Sequence, residues 1–223
     1  KNYYLPSFLK NKKIFYINLD KQNLSNAKNT GIRVSKAKII TFIDDDVKIT
    51  NDYFLSSWNF INKKKCDLMF CRINKINSNL PFSKGMKGKN LKINHFNSNC
   101  CLSSSMWINK KNNKDLYFDT NIGLGAKFGS GDETDYIFSS LNLKRKIYYN
   151  SKVSMFHPEE FIGLDNGKKI YKKFLSYGKG QGAIYKKHYN KNKLICTYLY
   201  FLSLIKSILG VILYLPLFKL KNV

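Results

Sequence analysis

Three places in this sequence carry side chains that could do chemistry: Asp44-Asp45-Asp46, Asp132-Glu133 and His157. Three consecutive carboxylates repel one another and lose hydration when a fold gathers them. A hard divalent cation offsets that cost, because such ions take carboxylate oxygens. The plainer reading is a polar turn in which one Asp caps the next helix. Asp132, Glu133 and Asp135 fall where a helix begins, and acids there favour the positive end of the helix dipole. His157 stands before Pro158 at the end of an apolar run, as a metal ligand or as a structural histidine. Between the acidic stretches, Tyr117–Gly131 holds four glycines in nine residues, a composition that permits tight turns and close approach of backbone to a ligand.

The elements that must position these groups follow from hydrophobic spacing. Lys13–Leu19 reads as a strand. Residues 23–36 read as a helix capped by Asn23 or Ser25, with Leu24, Ala27, Gly31 and Val34 on one face. Lys38–Ile43 is an apolar run suited to a buried parallel strand, and it feeds directly into the acidic triplet. In open α/β sheets ligands sit at the carboxyl ends of strands, where this triplet would lie. A helix after Asn51 has Phe54, Leu55, Trp58 and Ile61 at helical spacing, and Cys66–Ile73 returns as a strand. Residues 74–99 are polar and long for a connection, as lids and binding loops often are. Cys101–Ile108, Lys146–Tyr149 and Lys152–Phe156 read as strands, and a helix begins at Asp132. Residues 167–189 read as a basic helix broken near Tyr177-Gly-Lys-Gly-Gln-Gly182.

Composition bounds the partners. The 223 residues suffice for one well-buried α/β domain with an appendage, and 43% hydrophobic content excludes a disordered chain. The net charge of +25 would ordinarily point to nucleic acid or an anionic membrane. The only arginines, however, are Arg33, Arg72 and Arg145, and no zinc-finger or aromatic-basic RNA motif is present. Base readers lean on the arginine fork, and lysine and asparagine are spread along the whole chain, so no nucleic-acid partner is expected. Five cysteines without a C-x-x-C pair read as reduced, buried thiols, with Cys100 and Cys101 as strand residues. No leader pattern opens the sequence, which starts at Lys1 without methionine, so the natural start is expected elsewhere. There is no P-loop, no dinucleotide-binding glycine fingerprint and no nucleophile elbow.

Leu194–Phe218 is the one strongly apolar segment. It is long enough to cross a bilayer, yet Lys206 sits within it, Gly210 and Pro216 interrupt it, and lysines flank both ends. A single span, a re-entrant or interfacial helix, and a soluble core helix all fit. Contact with a membrane surface is expected.

Taken together, Leu24-Ser-Asn-Ala-Lys-Asn-Thr-Gly-Ile32, Phe42-Ile-Asp-Asp-Asp46, Phe118–Asp135, Tyr148-Tyr-Asn150, Phe156-His-Pro158 and Tyr177–Ala183 with Lys187-His188 resemble the family 2 glycosyltransferases of the GT-A fold, especially bacterial enzymes of capsule, lipopolysaccharide and exopolysaccharide synthesis. The resemblance covers about residues 13–190. It implies an α/β fold, Rossmann-like, with a mostly parallel mixed sheet flanked by helices, N-terminally truncated and carrying a C-terminal hydrophobic helix. The implied division is a partial catalytic core over 1–160, a basic helical extension over 161–193 and a membrane-associated hydrophobic helix or re-entrant segment over 194–218.

The resemblance also implies roles. Asp44, Asp46 and His157 match positions that hold Mn²⁺ or Mg²⁺ on the diphosphate of a nucleotide-sugar donor. Asp45, Lys28 and Asn29 match donor-binding positions, and Gly129 and Gly131 lie in the loop facing donor and acceptor. Asp132 and Glu133 match the acidic pair, with Glu133 as general base on the acceptor hydroxyl. The reaction expected is inverting transfer to a glycan or lipid-linked acceptor in cell-surface polysaccharide synthesis, at the cytoplasmic face of the bacterial inner membrane. Two positions depart from the usual pattern: the pair is Asp-Glu rather than Glu-Asp, leaving either member as base, and Lys28 replaces arginine. Nothing in Lys1–Leu19 supplies the usual first strand and Asp-Asp-Gly-Ser segment, so part of the base-binding region is expected to be missing. An inactive relative with a scaffold or membrane role and a basic nucleic-acid-binding protein are the alternatives.

Overall fold

Asn23, itself in an extended conformation, accepts a hydrogen bond from the Asn26 backbone N–H at 2.8 Å, so the first helix, α1 (Leu24–Val34), starts where its cap is. The computed structural model describes residues 16–76, 78, 80–83, 85–158 and 167–219, with backbone only for 167–170 and 210–219. After α1 come β1 (Ile39–Thr41), β2 (Lys48–Ile49), α2 (Tyr53–Lys64), β3 (Leu68–Lys75), β4 (Leu91–Lys92), β5 (Met106–Asn109), α3 (Asp132–Asn142), β6 (Ile147–His157), α4 (Gly167–His188) and α5 (Lys193–Lys219). The sheet runs β1-β5-β3-β6-β2, with β4 also paired to β6.

The sheet is mixed, as expected, but its balance differs. Among the described pairings only β3 and β6 are parallel, and the others are antiparallel. β3 is the central strand: Leu68, Met69, Phe70, Cys71 and Ile73 are fully buried, as a strand covered on both faces requires. The apolar run at Ile39–Thr41 is instead a half-buried, three-residue strand, because β5 inserts antiparallel between it and β3. The two short strands expected after α3 are one, β6. A register shift between Cys71 and Arg72 absorbs extra β6 residues, and the backbone and hydroxyl of Ser151 there bind Asn90 Oδ1 at 2.9 and 3.1 Å.

Other expectations need correction. Of Lys13–Leu19, residues 13–15 lie outside the described residues, and 16–19 form no strand; Tyr16 and Ile17 stay exposed. Cys101–Ile108 splits, since short 3-10 turns at Ser98–Cys100 and Ser103–Ser105 precede β5, so Cys100 and Cys101 are not strand residues. All five thiols are free and buried. The apolar faces of the first two helices are not their packed faces. In α1, Ser25, Lys28, Asn29 and Ile32 are buried while Ala27 and Val34 face out; in α2, Tyr53, Ser57 and Ile61 are buried and Phe54, Leu55 and Trp58 are exposed.

The glycines at 178, 180 and 182 do not break α4, which is continuous. Gly180 lets the helix lie directly on the loop before α3: a Cβ there would stand 2.2 Å from the Ser130 carbonyl oxygen. The apolar C-terminal segment is one helix, α5, joined to α4 by a short turn. No helix among the described residues is long and apolar enough to cross a membrane.

Gly180→Ala should therefore destabilise the fold by about 1–3 kcal/mol, the usual cost of overpacking. Gly178→Ala, with nothing within 4 Å of its Cβ, should stabilise it by about 0.5–1 kcal/mol through helix propensity. Urea unfolding of the two variants measures the contrast.

Candidate active site

The acidic turn and the histidine meet because of one strand pairing. β2 runs antiparallel to the end of β6, with Lys48 opposite Phe156 and Ile49 opposite Met155. Residues just before Lys48 therefore lie beside residues just after Phe156, which places Asp46 next to His157. His157 Nε2 is 3.5 Å from Asp46 Oδ1, and one ligand atom each from Asp44, Asp46 and His157 lies within 4.8 Å of the others. The ring is held on two sides. Its Nδ1 donates to the Pro158 carbonyl at 2.7 Å, and the Phe82 ring packs against it with centroids 4.7 Å apart. With Nδ1 carrying the proton, Nε2 presents a lone pair toward the carboxylates.

That donor set, two carboxylates and an imidazole fixed by its other nitrogen, fits a divalent cation that prefers oxygen with one nitrogen. The side chains are also solvent-accessible enough to admit a ligand, Asp46 being 50% exposed and His157 16%. Asp44 has its carboxyl pKa raised by partial burial and by Asp46 beside it, against the opposing charge of Lys28. Asp45 is exposed in the same turn.

The second acidic group arrives through α1. The polar face of that helix grips the loop leading to α3. Asn23 Nδ2 donates to the Thr120 carbonyl at 2.8 Å, Ser25 Oγ to Ile122 at 2.5 Å, and the Leu24 N–H to Leu124 at 3.0 Å. Asn29 makes a two-point clamp on Phe118, its amide donating to the carbonyl and its oxygen accepting from the N–H, both at 2.8 Å. Lys28 Nζ lies 2.5 Å from Asp132 Oδ2, both side chains only 6% exposed, and 5.1 Å from the Phe118 ring centroid. Asn29 and Lys28 thus support the site through enclosed contacts. Both amide ends of Asn29 are occupied, and the ammonium of Lys28 is enclosed.

Gly131 precedes α3 with φ +91°, a left-handed conformation that side chains disfavour, and its α face abuts Ile184 of α4. Gly129 lies against Ser176 of α4, where a Cβ would meet the hydroxyl at 2.3 Å. These two glycines shape the loop against α4 and turn the chain so that Glu133 enters the cleft. Burial, together with the neighbouring Asp132 charge, pushes the Glu133 carboxyl up to about 7, despite the opposing charge of Lys28. Asp135, one turn on, is buried. It accepts from Lys187 Nζ and His188 Nε2, each at 2.8 Å, and Lys187 also reaches Asp119 at 2.8 Å, tying α3, α4 and the glycine-rich loop together.

Asp44, Glu133 and His157 line one cleft of about 220 Å³ with Phe82, Leu102, Ser103, Ser104, Lys173 and Tyr177. The last six were not singled out from sequence as site residues. Ser103 and Ser104 lay hidden in a stretch read as strand, although the serine run Ser103–Ser105 is a turn signal. Lys173 and Tyr177 come from α4, far along the chain, and only packing brings them in. The arrangement places a carboxylate whose pKa is raised toward neutrality across a cleft from a side-chain set that could hold a cation.

The site thus joins an acidic turn able to hold a metal to an acid pair at a helix start, one member buried and the other facing the cleft, on a mixed α/β sheet. The sequence pattern of glycosyl transferase family 2 matches residues 2–126, more than half of the chain, and the chain belongs to that family. The match includes the N-terminal segment and the acidic turn, while Asp132, Glu133 and His157 lie beyond it. No curated protein matches the chain. Among solved structures, S. aureus TarS is similar with a TM-score of 0.53 and 14% identity over 74% of this chain and 27% of TarS. TarS 1-349 gives 0.50 and 15% over 61% and 40%. The same fragment in complex with UDP-GlcNAc gives 0.51 and 15% over 73% and 46%. The likeness is one of fold, and the chain spans less than half the length of these structures.

Removing the cation from the enclosed Lys28–Asp132 pair leaves a carboxylate buried and unpaired. Lys28→Met should cost about 3–5 kcal/mol, and Lys28→Met/Asp132→Leu should recover most of it, because a buried ion pair is often replaceable by apolar groups. Chemical denaturation of the three proteins tests this.

Proposed function

We propose that this protein transfers a sugar from a nucleotide-diphosphate donor to a hydroxyl of a glycan or lipid-linked acceptor, with inversion at the anomeric carbon. The observation that carries the reading is the single cleft gathering Asp44, Glu133 and His157, with Asp46 beside the histidine. Family membership supports sugar transfer, and the TarS complex with UDP-GlcNAc is a fold relative that binds a nucleotide sugar. Mn²⁺ or Mg²⁺ held by Asp44, Asp46 and His157 would supply positive charge for the departing diphosphate.

Glu133 accepts the acceptor proton as the hydroxyl oxygen bonds to the anomeric carbon, while the bond from that carbon to the diphosphate oxygen breaks. No enzyme nucleophile is required, since the diphosphate is already a good leaving group. Lys28 holds Asp132 beside the base as an ion pair. The raised pKa matches the task, because a base that titrates near the working pH accepts a proton readily and is still substantially ionised. Asp45, exposed in the acidic turn, is left to contact the ribose or sugar of the donor.

Mn²⁺-dependent hydrolysis of UDP-sugars, and transfer to glycan acceptors, measure the activity. Asp46→Ala and Glu133→Gln should each lower turnover by about a hundredfold or more, in keeping with loss of charge stabilisation or of a general base. Unchanged turnover in either would refute the assignment. A base must be deprotonated, so kcat should fall as pH drops below about 7 and level off above it. The same raised pKa means that the folded protein holds this proton over a pH window where the unfolded chain has released it. Glu133→Gln should therefore be more stable than the parent above pH 7, measured by thermal melting.

A further inference from the structure

The start of α5, residues 193–203, has two opposite faces. On one, Cys196 is buried, Leu199 packs against the core, and Ser203 Oγ lies 3.4 Å from the Tyr185 hydroxyl of α4. On the other, Leu194, Tyr198 and Phe201 begin a stripe at helical spacing that Ile205 and Ile208 continue, where residues 204–209 are exposed on every side. These five stripe residues are 85%, 56%, 55%, 53% and 50% exposed. Phe96, itself exposed, meets Tyr198 edge-on at 5.8 Å and widens the apolar surface beyond the helix. A continuous apolar patch of this kind marks an interaction site.

Charge identifies the occupant. From Asn166 to Val223 the sequence holds twelve lysines and no acidic residue. A second copy docking through this face would bring two strongly cationic surfaces together, whereas an anionic lipid surface neutralises them. Apolar burial combined with cation attraction is the pair of signals that holds a helix in a bilayer interface. Tyrosine and phenylalanine on the stripe suit the headgroup boundary, where amphipathic and aromatic rings collect. Lysines at positions 191, 193 and 206 can extend along the apolar surface with their ammonium groups in the headgroup layer.

We propose that the exposed face of α5 docks on an anionic membrane surface, with the helix lying in the plane of the interface. It cannot be ringed by lipid over residues 193–203, because there its opposite face is already packed on the protein body. α4, which α5 packs against, lines the cleft with Lys173 and Tyr177. Docking would therefore hold the cleft close to the bilayer, which favours an acceptor carried on a lipid; this last step alone rests on the transfer reading above.

Co-sedimentation of the full chain with phosphatidylcholine vesicles containing about 30% phosphatidylglycerol, against pure phosphatidylcholine, tests the docking without donor or metal. Partition to the anionic vesicles should be about tenfold stronger and should weaken severalfold between about 0.1 and 0.5 M salt. Phe201→Ser/Ile205→Ser should lose about tenfold of that binding, with an unchanged circular dichroism spectrum, since both side chains are exposed. Leu55→Ser/Trp58→Ser, on the exposed apolar face of α2, should bind as the parent does, as should Glu133→Gln, whose failure in turnover is a separate matter. Equal binding by the Phe201/Ile205 variant, no binding to either vesicle, or light scattering that shows a dimer dissolved by that variant would overturn the proposal.

Discussion

The enclosed contact between Lys28 and Asp132 is the constraint around which the site is arranged. An ammonium and a carboxylate taken from water are tolerated together and not apart. Satisfying them requires α1 and the start of α3 to stay in contact across more than a hundred residues of sequence. The remaining polar residues on the inner face of α1 act in the same direction. Asn23, Ser25 and Asn29 each hold a backbone group of the loop that runs to Asp132. A helix that packs through polar side chains gains less from burial than an apolar one would. In return its contacts are directional, and they fix where Glu133 points.

A second constraint works from the far side of the cleft. The short β2–β6 ladder has two residue pairs, yet its register alone sets Asp46 beside His157. A slip by one residue would turn the flanking side chains to the other face of the sheet. Phe82 and the Pro158 carbonyl then fix the imidazole ring, so the donor set is oriented before any ligand arrives. α4 closes the assembly. It lies on the loop at Gly129 and Gly180, binds Asp135 through Lys187 and His188, and contributes Lys173 and Tyr177 to the cleft. Its outer neighbour α5 carries the exposed apolar stripe, so the helix pair links the cleft to the surface.

Much of this was legible in residue order. Asp44–Asp46, Asp132–Glu133 and His157 stand out by type and by their place at element ends, and α1, α2 and α3 begin at or within about a residue of the expected positions. Errors fell where the neighbours of a segment decide its role. The helical spacing of Leu24, Ala27 and Val34 predicted an apolar packed face, but the helix turns its polar side inward because the loop carbonyls opposite it need donors. Lys28 and Asn29, read as donor-binding, also make enclosed contacts that residue order does not reveal. The glycines of α4 looked like a break and are instead the places where helix and loop come closest, which a single sequence cannot distinguish.

The sequence by itself determined the chemical inventory: the carboxylates, the imidazole, the glycine-rich loop, the acid-free lysine-rich C-terminal portion and the apolar run within it. These depend on side-chain type and local spacing, which residue order specifies directly. Only the tertiary structure decided which of these groups share a cleft, that the sheet is largely antiparallel among its described pairs, and that the start of α5 has one face packed and one exposed. Those outcomes rest on strand register and on contacts between residues far apart in the chain. Each is fixed by the joint packing of several elements, and no one of those elements encodes it alone.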